Sequence, residues 1–315
     1  MIEVQQLTKR YGPTLAVDDL TFTVRPGHVT GFLGPNGAGK STTMRMILGL
    51  DHPTSGRALI AGRPYRDLPA PLRSVGALLD AGQVHPRRTA QGHLRSLAAT
   101  LGEGPRRVQS VLDTVGLGDA GRRRVGTFSL GMRQRLGVAA ALLGDPEVVI
   151  LDEPVNGLDP EGVIWIRTFM RALAAEGRTV LISSHLMSEM AQTADHLLVV
   201  GRGRLVADVP TDTLLRGAEP AVRVVSPRPD DVWRVLEPAG ASLAARDGNE
   251  LLIEGLGADV VARLALAHRL ELHELVTHRR SLESAYLELT QDSVDYRSQP
   301  SDASSDPTSH PKATT

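Results

Sequence analysis

Apolar positions along this chain follow two different rhythms. Ile2, Val4 and Leu7, then Phe22 and Val24, are separated by polar residues as two half-buried strands of an antiparallel pair would be. Residues 29–33, 148–151 and 179–184 are instead near-continuous apolar runs, the pattern of buried strands. Shorter strands are expected at 57–60 and 75–79, with Pro53, Pro64, Pro69 and Pro71 breaking the chain around them. From His85 to about Gly126 the period lengthens: Leu94, Leu97, Ala98 and Leu101, then Val108, Val111, Leu112 and Val115, recur at helical spacing. The spacing predicts an α/β core, a mixed sheet interrupted by a helical subdomain at about 84–145. A hairpin, 196–200 and 204–208 around Gly201 and Gly203, closes it.

Beyond residue 217 the rhythm changes again. Residues 222–225, 229–236, 243–245, 251–253, 260–267 and 270–276 read as β-α-β-β-α-β, an order that suits a small ferredoxin-like sandwich. A last helix carries Leu282, Ala285, Tyr286 and Leu289 on one face, and from Gln291 onward Ser, Asp, Pro and Thr predict disorder. The expected division is 1–217, 218–290 and a tail, 291–315.

Composition narrows the function more than the fold. With 35 basic and 36 acidic residues the formal charge is −1, so the balance points to no nucleic-acid partner. Zero cysteines remove disulfides and thiolate chemistry and suit a reducing cytoplasm. The start, Met1-Ile2-Glu3-Val4, has no basic and apolar leader, and no run approaches the ~18 apolar residues of a spanning helix, so the expectation is a soluble chain. The Arg122-Arg123-Arg124 run is read as a solvated face.

The candidate chemistry starts at Gly34-Pro35-Asn36-Gly37-Ala38-Gly39-Lys40-Ser41-Thr42, between the 29–33 strand and a helix through Met44, Ile47 and Leu48. This is G-x-x-x-x-G-K-[ST] in its required strand–loop–helix setting, a cradle for nucleotide phosphates. Gly34, Gly37 and Gly39 are expected to take positive φ so that backbone N–H groups converge on an anion. The chain contains only Lys9, Lys40 and Lys312, so a lysine at this position in an arginine-rich sequence is informative. The 148–151 run ends in Asp152 and Glu153. Unpaired buried carboxylates are costly, and neighbouring strand residues point to opposite sides. Two roles are therefore expected: Asp152 holding Mg2+ largely through water, Glu153 polarising the water that attacks the γ-phosphate. Ser129 sits at a helix N-cap, Asp159 at another, and His185 follows the 179–184 strand, the end of a sheet where ligands collect. Lys9-Arg10-Tyr11-Gly12, between the first two strands, is read as a loop, and Tyr11, one of only four tyrosines, lies there upstream of the cradle as a candidate platform for adenine.

In order and spacing, Tyr11, the 34–42 loop, Ser129-Leu130-Gly131-Met132-Arg133-Gln134, Ile150-Leu151-Asp152-Glu153-Pro154, Gly157-Leu158-Asp159 and Ser184-His185 resemble the ATP-binding subunit of an ATP-binding cassette (ABC) transporter, over residues 1 to about 217. The resemblance implies an ATPase with ATP and Mg2+ as cofactors, adenine on Tyr11, phosphates on the 34–42 loop, metal at Ser41 and Asp152, Glu153 as catalytic carboxylate and His185 as γ-phosphate sensor. It further implies that Ser129 and Gly131 bind the γ-phosphate of ATP held by a second copy, and that a membrane permease is the partner, placing the chain on the inner face of the cell membrane. Two departures stand out. Leu130 and Met132 replace the Gly and Gln of many cassettes, a form similar to daunorubicin- and bacitracin-resistance exporters. Asp80, with Gln83 nearby, stands where a metal-sensing glutamine is usual. The rivals are a soluble cassette switch acting on ribosomes or DNA, which would carry two cassettes or a long coiled coil, and a GTPase, which would need an N-K-x-D segment that this chain lacks.

Overall fold

A computed structural model describes residues 1–82, 84–216 and 221–278. Its centre is a six-stranded sheet of β3 (Val29–Leu33), β5 (Val75–Leu78), β6 (Val148–Leu151), β7 (Thr179–Ser184), β8 (His196–Gly201) and β9 (Arg204–Pro210), in the order β5-β6-β7-β3-β8-β9. All but β9 run parallel, and β9 returns antiparallel to β8 as the expected hairpin. The continuous apolar runs are explained by their surroundings, because every residue of β3, β6 and β7 is buried.

The two faces of that sheet have separate cores. Phe32, Val148, Ile150 and Leu181 point toward α1 (Lys40–Ile47) and an antiparallel sheet of β1 (Ile2–Tyr11), β2 (Thr14–Val24) and β4 (Ser55–Ile60), ordered β2-β1-β4. Phe22 of β2 meets Phe32 of β3 at 5.6 Å between ring centroids, joining the two sheets. Val29, Leu33, Val149, Leu151, Val180 and Ile182 point the other way. There they meet α6 (Pro160–Ala175), α7 (Met187–Thr193) and the helical subdomain, formed by α3 (Ala90–Leu101), α4 (Pro105–Thr114) and α5 (Leu130–Ala141). The period-two alternation thus sorts side chains between two cores rather than between core and solvent. The one-turn helix α2 (Pro71–Ser74) leads into β5, and α8 (Thr211–Arg216) follows β9.

Residues 221–278 form β10 (Ala221–Val225), α9 (Pro229–Leu236), β11 (Ser242–Asp247), β12 (Glu250–Glu254), α10 (Ala258–Ala267) and β13 (Glu274–His278). The strands make one antiparallel sheet in the order β11-β12-β10-β13, around Val222, Val224, Val232, Leu236, Leu251, Ile253 and Val261. The element order is the one read from the sequence, but the last strand starts at Glu274. Leu270 and Leu272, expected inside it, pack on this core ahead of it, after a reversal at Arg269 with φ +52°. Arg223 on β10 bridges Glu250 and Glu274 of the two flanking strands, at 2.7 Å each.

Two further expectations need correcting. Lys9, Arg10 and Tyr11, read as a loop, are the last residues of β1, and the chain turns only at Gly12 and Pro13. Leu79, read as strand, lies past the end of β5. Gln83 and the apolar face of 282–289, with the 291–315 tail, fall outside the described residues. Among the described residues no helix is long and apolar enough to cross a membrane.

Candidate functional site

Three parallel strands that lie side by side, β6, β7 and β3, deliver the chemistry at their carboxyl ends. The 34–42 loop leaves β3, Asp152 and Glu153 follow β6, and His185 follows β7.

The loop is shaped by its glycines, though not all in the expected way. Gly37 and Gly39 have φ of +82° and +98°, the left-handed region that L side chains avoid. Gly34 does not take positive φ. Its requirement is space, since a Cβ there would lie 2.5 Å from the Val200 carbonyl oxygen. Lys40, buried at the start of α1, donates from Nζ to the carbonyl oxygens of Gly34 at 2.6 Å and Pro35 at 3.2 Å, so the lysine ties its own loop together. Burial pulls the Lys40 pKa below the usual lysine range, with the charges of Glu153 and Asp152 opposing the shift. Its Nζ stands 4.0 Å from Glu153 Oε1. A cavity of about 230 Å3 opens here, lined by Ala16, Asn36, Gly37, Gly39, Lys40, Ser41, Thr42 and Glu153.

The two carboxylates face different partners, though not through strand alternation, because β6 ends at Leu151 before either of them. Asp152 accepts from Ser41 Oγ at 2.6 Å and from the Ser183 hydroxyl. Glu153 turns away because its backbone is left-handed, with φ +50°. For a residue with a Cβ that conformation costs about 1–2 kcal/mol, and such strain is typical of functional positions. Its carboxylate accepts from His185 Nδ1 at 2.9 Å. Ser183 serves both residues, donating to Asp152 while accepting from the Glu153 backbone N–H at 2.9 Å.

Tyr11 reaches the same end of the molecule from β1. Its hydroxyl donates to Asp51 Oδ2 at 3.0 Å, Asp51 also accepts from Arg45 of α1 at 2.8 Å, and Lys9 Nζ lies 4.8 Å from the ring centroid. The Arg45 guanidinium holds Asp51 below the usual carboxylate range, while desolvation and then the Asp51 hydrogen bond raise the Tyr11 pKa. Tyr11 as a whole residue is 46% exposed.

Ser129 is the N-cap of α5, accepting from Met132 N at 3.2 Å, and is exposed, as is Leu130. Among the described residues no hydrogen bond joins it to the Lys40–Glu153 cluster. Gly131 faces Gly157 and Leu158 instead, where a Cβ would come 3.3 Å from the Gly157 oxygen. Asp159 caps α6 by accepting from Gly162 N at 2.9 Å. Asp80 accepts from Gly82 N at 2.7 Å in an exposed turn, with no hydrogen bond to Ser41 or Asp152.

Sequence reasoning passed over Ser183, Asp51 and Gln134. Ser183 is one hydroxyl in an apolar strand and Asp51 one acid in a turn, so neither carries a chemical signal until the fold supplies its neighbours. Gln134 stands inside a quoted motif but has no role until α5 is packed.

A buried-strand sheet with a lysine-bearing glycine loop, an adjacent Ser–Asp oxygen pair and a carboxylate–imidazole pair defines a P-loop nucleotide triphosphatase. Comparison with known proteins narrows the class. Residues 17–156 match the family described as ABC transporter, and 220–283 match a domain of unknown function. An uncharacterized ABC transporter ATP-binding protein, YhcH of Bacillus subtilis strain 168, is 35% identical over 295 residues, 92% of this chain and 96% of the relative. The bacitracin transport ATP-binding protein BcrA of Bacillus licheniformis is 43% identical over 217 residues, 68% of this chain and 71% of the relative. A solved ATP-binding subunit of an ABC transporter superimposes with a TM-score of 0.63 at 30% identity, covering 69% of this chain and 92% of that one. The chain belongs to the ATP-binding subunits of ABC transporters, and it is an ATP-binding ATPase.

Proposed function

We propose that this chain is the energy-supplying ATPase of an exporter, working as a dimer beneath a membrane permease on the inner face of the membrane and moving a drug-like or lipophilic compound. The observation that carries the reading is the convergence of Lys40, the Ser41–Asp152 pair and the Glu153–His185 pair at three adjacent strand ends. Similarity to BcrA, a bacitracin transport ATP-binding protein, supports the substrate class, and similarity to a Nod factor export ATP-binding protein of Burkholderia lata, 37% identical over 214 residues, supports export. The unit of action is residues 1–217, with 218–290 an accessory domain.

The donor set fits the cofactors. Two hard oxygens, Ser41 Oγ and an Asp152 carboxylate oxygen, already lie 2.6 Å apart. That oxygen pair suits Mg2+, which keeps water and phosphate ligands rather than entering an all-protein site. When bound, Mg2+ neutralises charge on the phosphate oxygens. The residues do the rest. The left-handed turns at Gly37 and Gly39 aim backbone N–H groups at the phosphates, and Lys40 adds a point charge. Tyr11 stacks on adenine. Glu153 orients the attacking water, and His185, held by Glu153, contacts the γ-phosphate. Ser129, exposed at the N-cap of α5, and Gly131, neither of them hydrogen-bonded to their own chain's Lys40–Glu153 cluster among the described residues, meet ATP held by the second copy.

The test is Glu153→Gln, which keeps size and hydrogen bonding but removes the charge. Phosphate release should nearly stop while ATP still binds, and light scattering should show an ATP-dependent dimer. Hydrolysis at the parent rate removes Glu153 from its role, and an inactive variant that stays monomeric at saturating ATP removes the shared-site dimer.

A further inference from the structure

We infer that Gln134 is a positioning residue for Glu153, holding the strained backbone that aims the carboxylate at the reaction site. The inference rests on the catalytic reading of Glu153 and goes beyond it.

Glu153 sits at φ +50°, and a residue with a Cβ stays there only when its surroundings hold it. Its N–H is held by Ser183 Oγ at 2.9 Å. Its carbonyl oxygen accepts from Gln134 Nε2 at 3.1 Å and from Asn156 N at 3.2 Å. Pro154, next in the chain, has no N–H to donate within this turn. Gln134 is therefore the side chain that grips the outgoing peptide of Glu153, as Ser183 grips the incoming one.

A second observation shows that this glutamine is not there for packing. Gln134 is only 7% exposed, and while its Nε2 is bonded, its Oε1 has no hydrogen-bond partner among the described residues. An orphaned buried oxygen is unfavourable, and a leucine or methionine would fill the space without it. What the amide supplies and an apolar side chain cannot is the donor to Glu153. The bond also has a direction of influence. Gln134 lies on α5, whose N-cap is Ser129, so displacement of that helix is transmitted to the Glu153 peptide through one hydrogen bond.

Two variants test this. Gln134→Met keeps volume and burial but loses the donor. It should lower kcat about tenfold, the equivalent of one hydrogen bond's worth of alignment, with the ATP dissociation constant within about twofold of the parent. Gln134→Glu gives a distinctive signature. Burial raises the pKa of the new carboxyl, so below that pKa it is protonated and donates to the Glu153 oxygen, and above it the donor is lost and two oxygens face each other. The ratio of Gln134→Glu to parent activity should therefore climb as pH falls, while the Gln134→Met ratio stays flat. A purely structural role would move thermal stability without that pH signature. Parent-level kcat in Gln134→Met, or a Gln134→Glu ratio independent of pH, overturns the inference. Glu153→Gln assayed alongside separates the two failures. If it hydrolyses ATP at the parent rate, the reading of Glu153 falls, and if it is inactive while both Gln134 variants behave as the parent, only the role of Gln134 falls.

Discussion

Three glycines in one loop offer a way to separate torsional from steric constraint, because the fold gives each a different combination of the two. Gly37 has φ +82° and nothing within 4 Å of the position of a Cβ, so Gly37→Ala meets only the left-handed penalty, about 1–2 kcal/mol. Gly34 is outside the left-handed region, but its Cβ would stand 2.5 Å from Val200 O and 2.9 Å from Val200 Cγ2, so Gly34→Ala meets only overpacking, about 1–3 kcal/mol. Gly39 has φ +98° and a Cβ position 2.5 Å from Ala16 O, so Gly39→Ala meets both and should lose about 2–5 kcal/mol. Ordinary contact at a Cβ begins near 3.4 Å, so the clash at Gly39 demands a displacement of about 0.9 Å between the loop and β2. Urea denaturation without nucleotide gives the stabilities, and thermal midpoints should fall about 2–4 °C for each kcal/mol. ATP titration then shows whether the displaced loop still binds. If Gly37→Ala costs as much as Gly39→Ala, the contact with Ala16 is irrelevant. If Gly34→Ala is neutral, the approach to Val200 is looser than the geometry says, and the steric half of the reasoning fails.

Tyr11→Ala should weaken ATP binding by about 1–3 kcal/mol, the scale of base–aromatic stacking, and Tyr11→Trp should not. An unchanged dissociation constant returns Tyr11 to a packing role on Asp51 and Lys9. At the metal, Asp152→Asn should raise the Mg2+ needed for half-maximal turnover. Asp80→Ala should raise it by less, since one Asp80 oxygen is already taken by Gly82 N, and Gln83→Ala should leave it alone. No effect in Asp80→Ala takes that carboxylate out of the metal site, and a reversed ranking gives the sensing role to Gln83.

Much of this protein is local, and what is local was legible. The 34–42 loop needs only its neighbours in sequence to be recognised, because strand, glycines, lysine and helix are contiguous. The caps at Ser129 and Asp159 are contained within four residues, and both form as the sequence indicates. The continuous apolar runs announced buried strands because burial on both faces removes the polar half of the alternation, whereas their parallel pairing is visible only in the fold. Other features depend on residues far apart in the chain, and there the sequence was silent or misleading. Gly34 looks like a conformational glycine and proves to be a steric one, a distinction set by Val200, which only the pairing of β3 with β8 brings near. Strand alternation would by itself part Asp152 from Glu153, yet their separation arises from a left-handed residue gripped by Ser183 and Gln134, thirty residues ahead and nineteen behind. Alternation is a property of extended backbone, and the chain has left the extended state at the position where the two carboxylates must part. Long-range contacts decide this conformation, because the side-chain hydrogen bonds that hold Glu153 come from elements that become neighbours only when the sheet and α5 are packed.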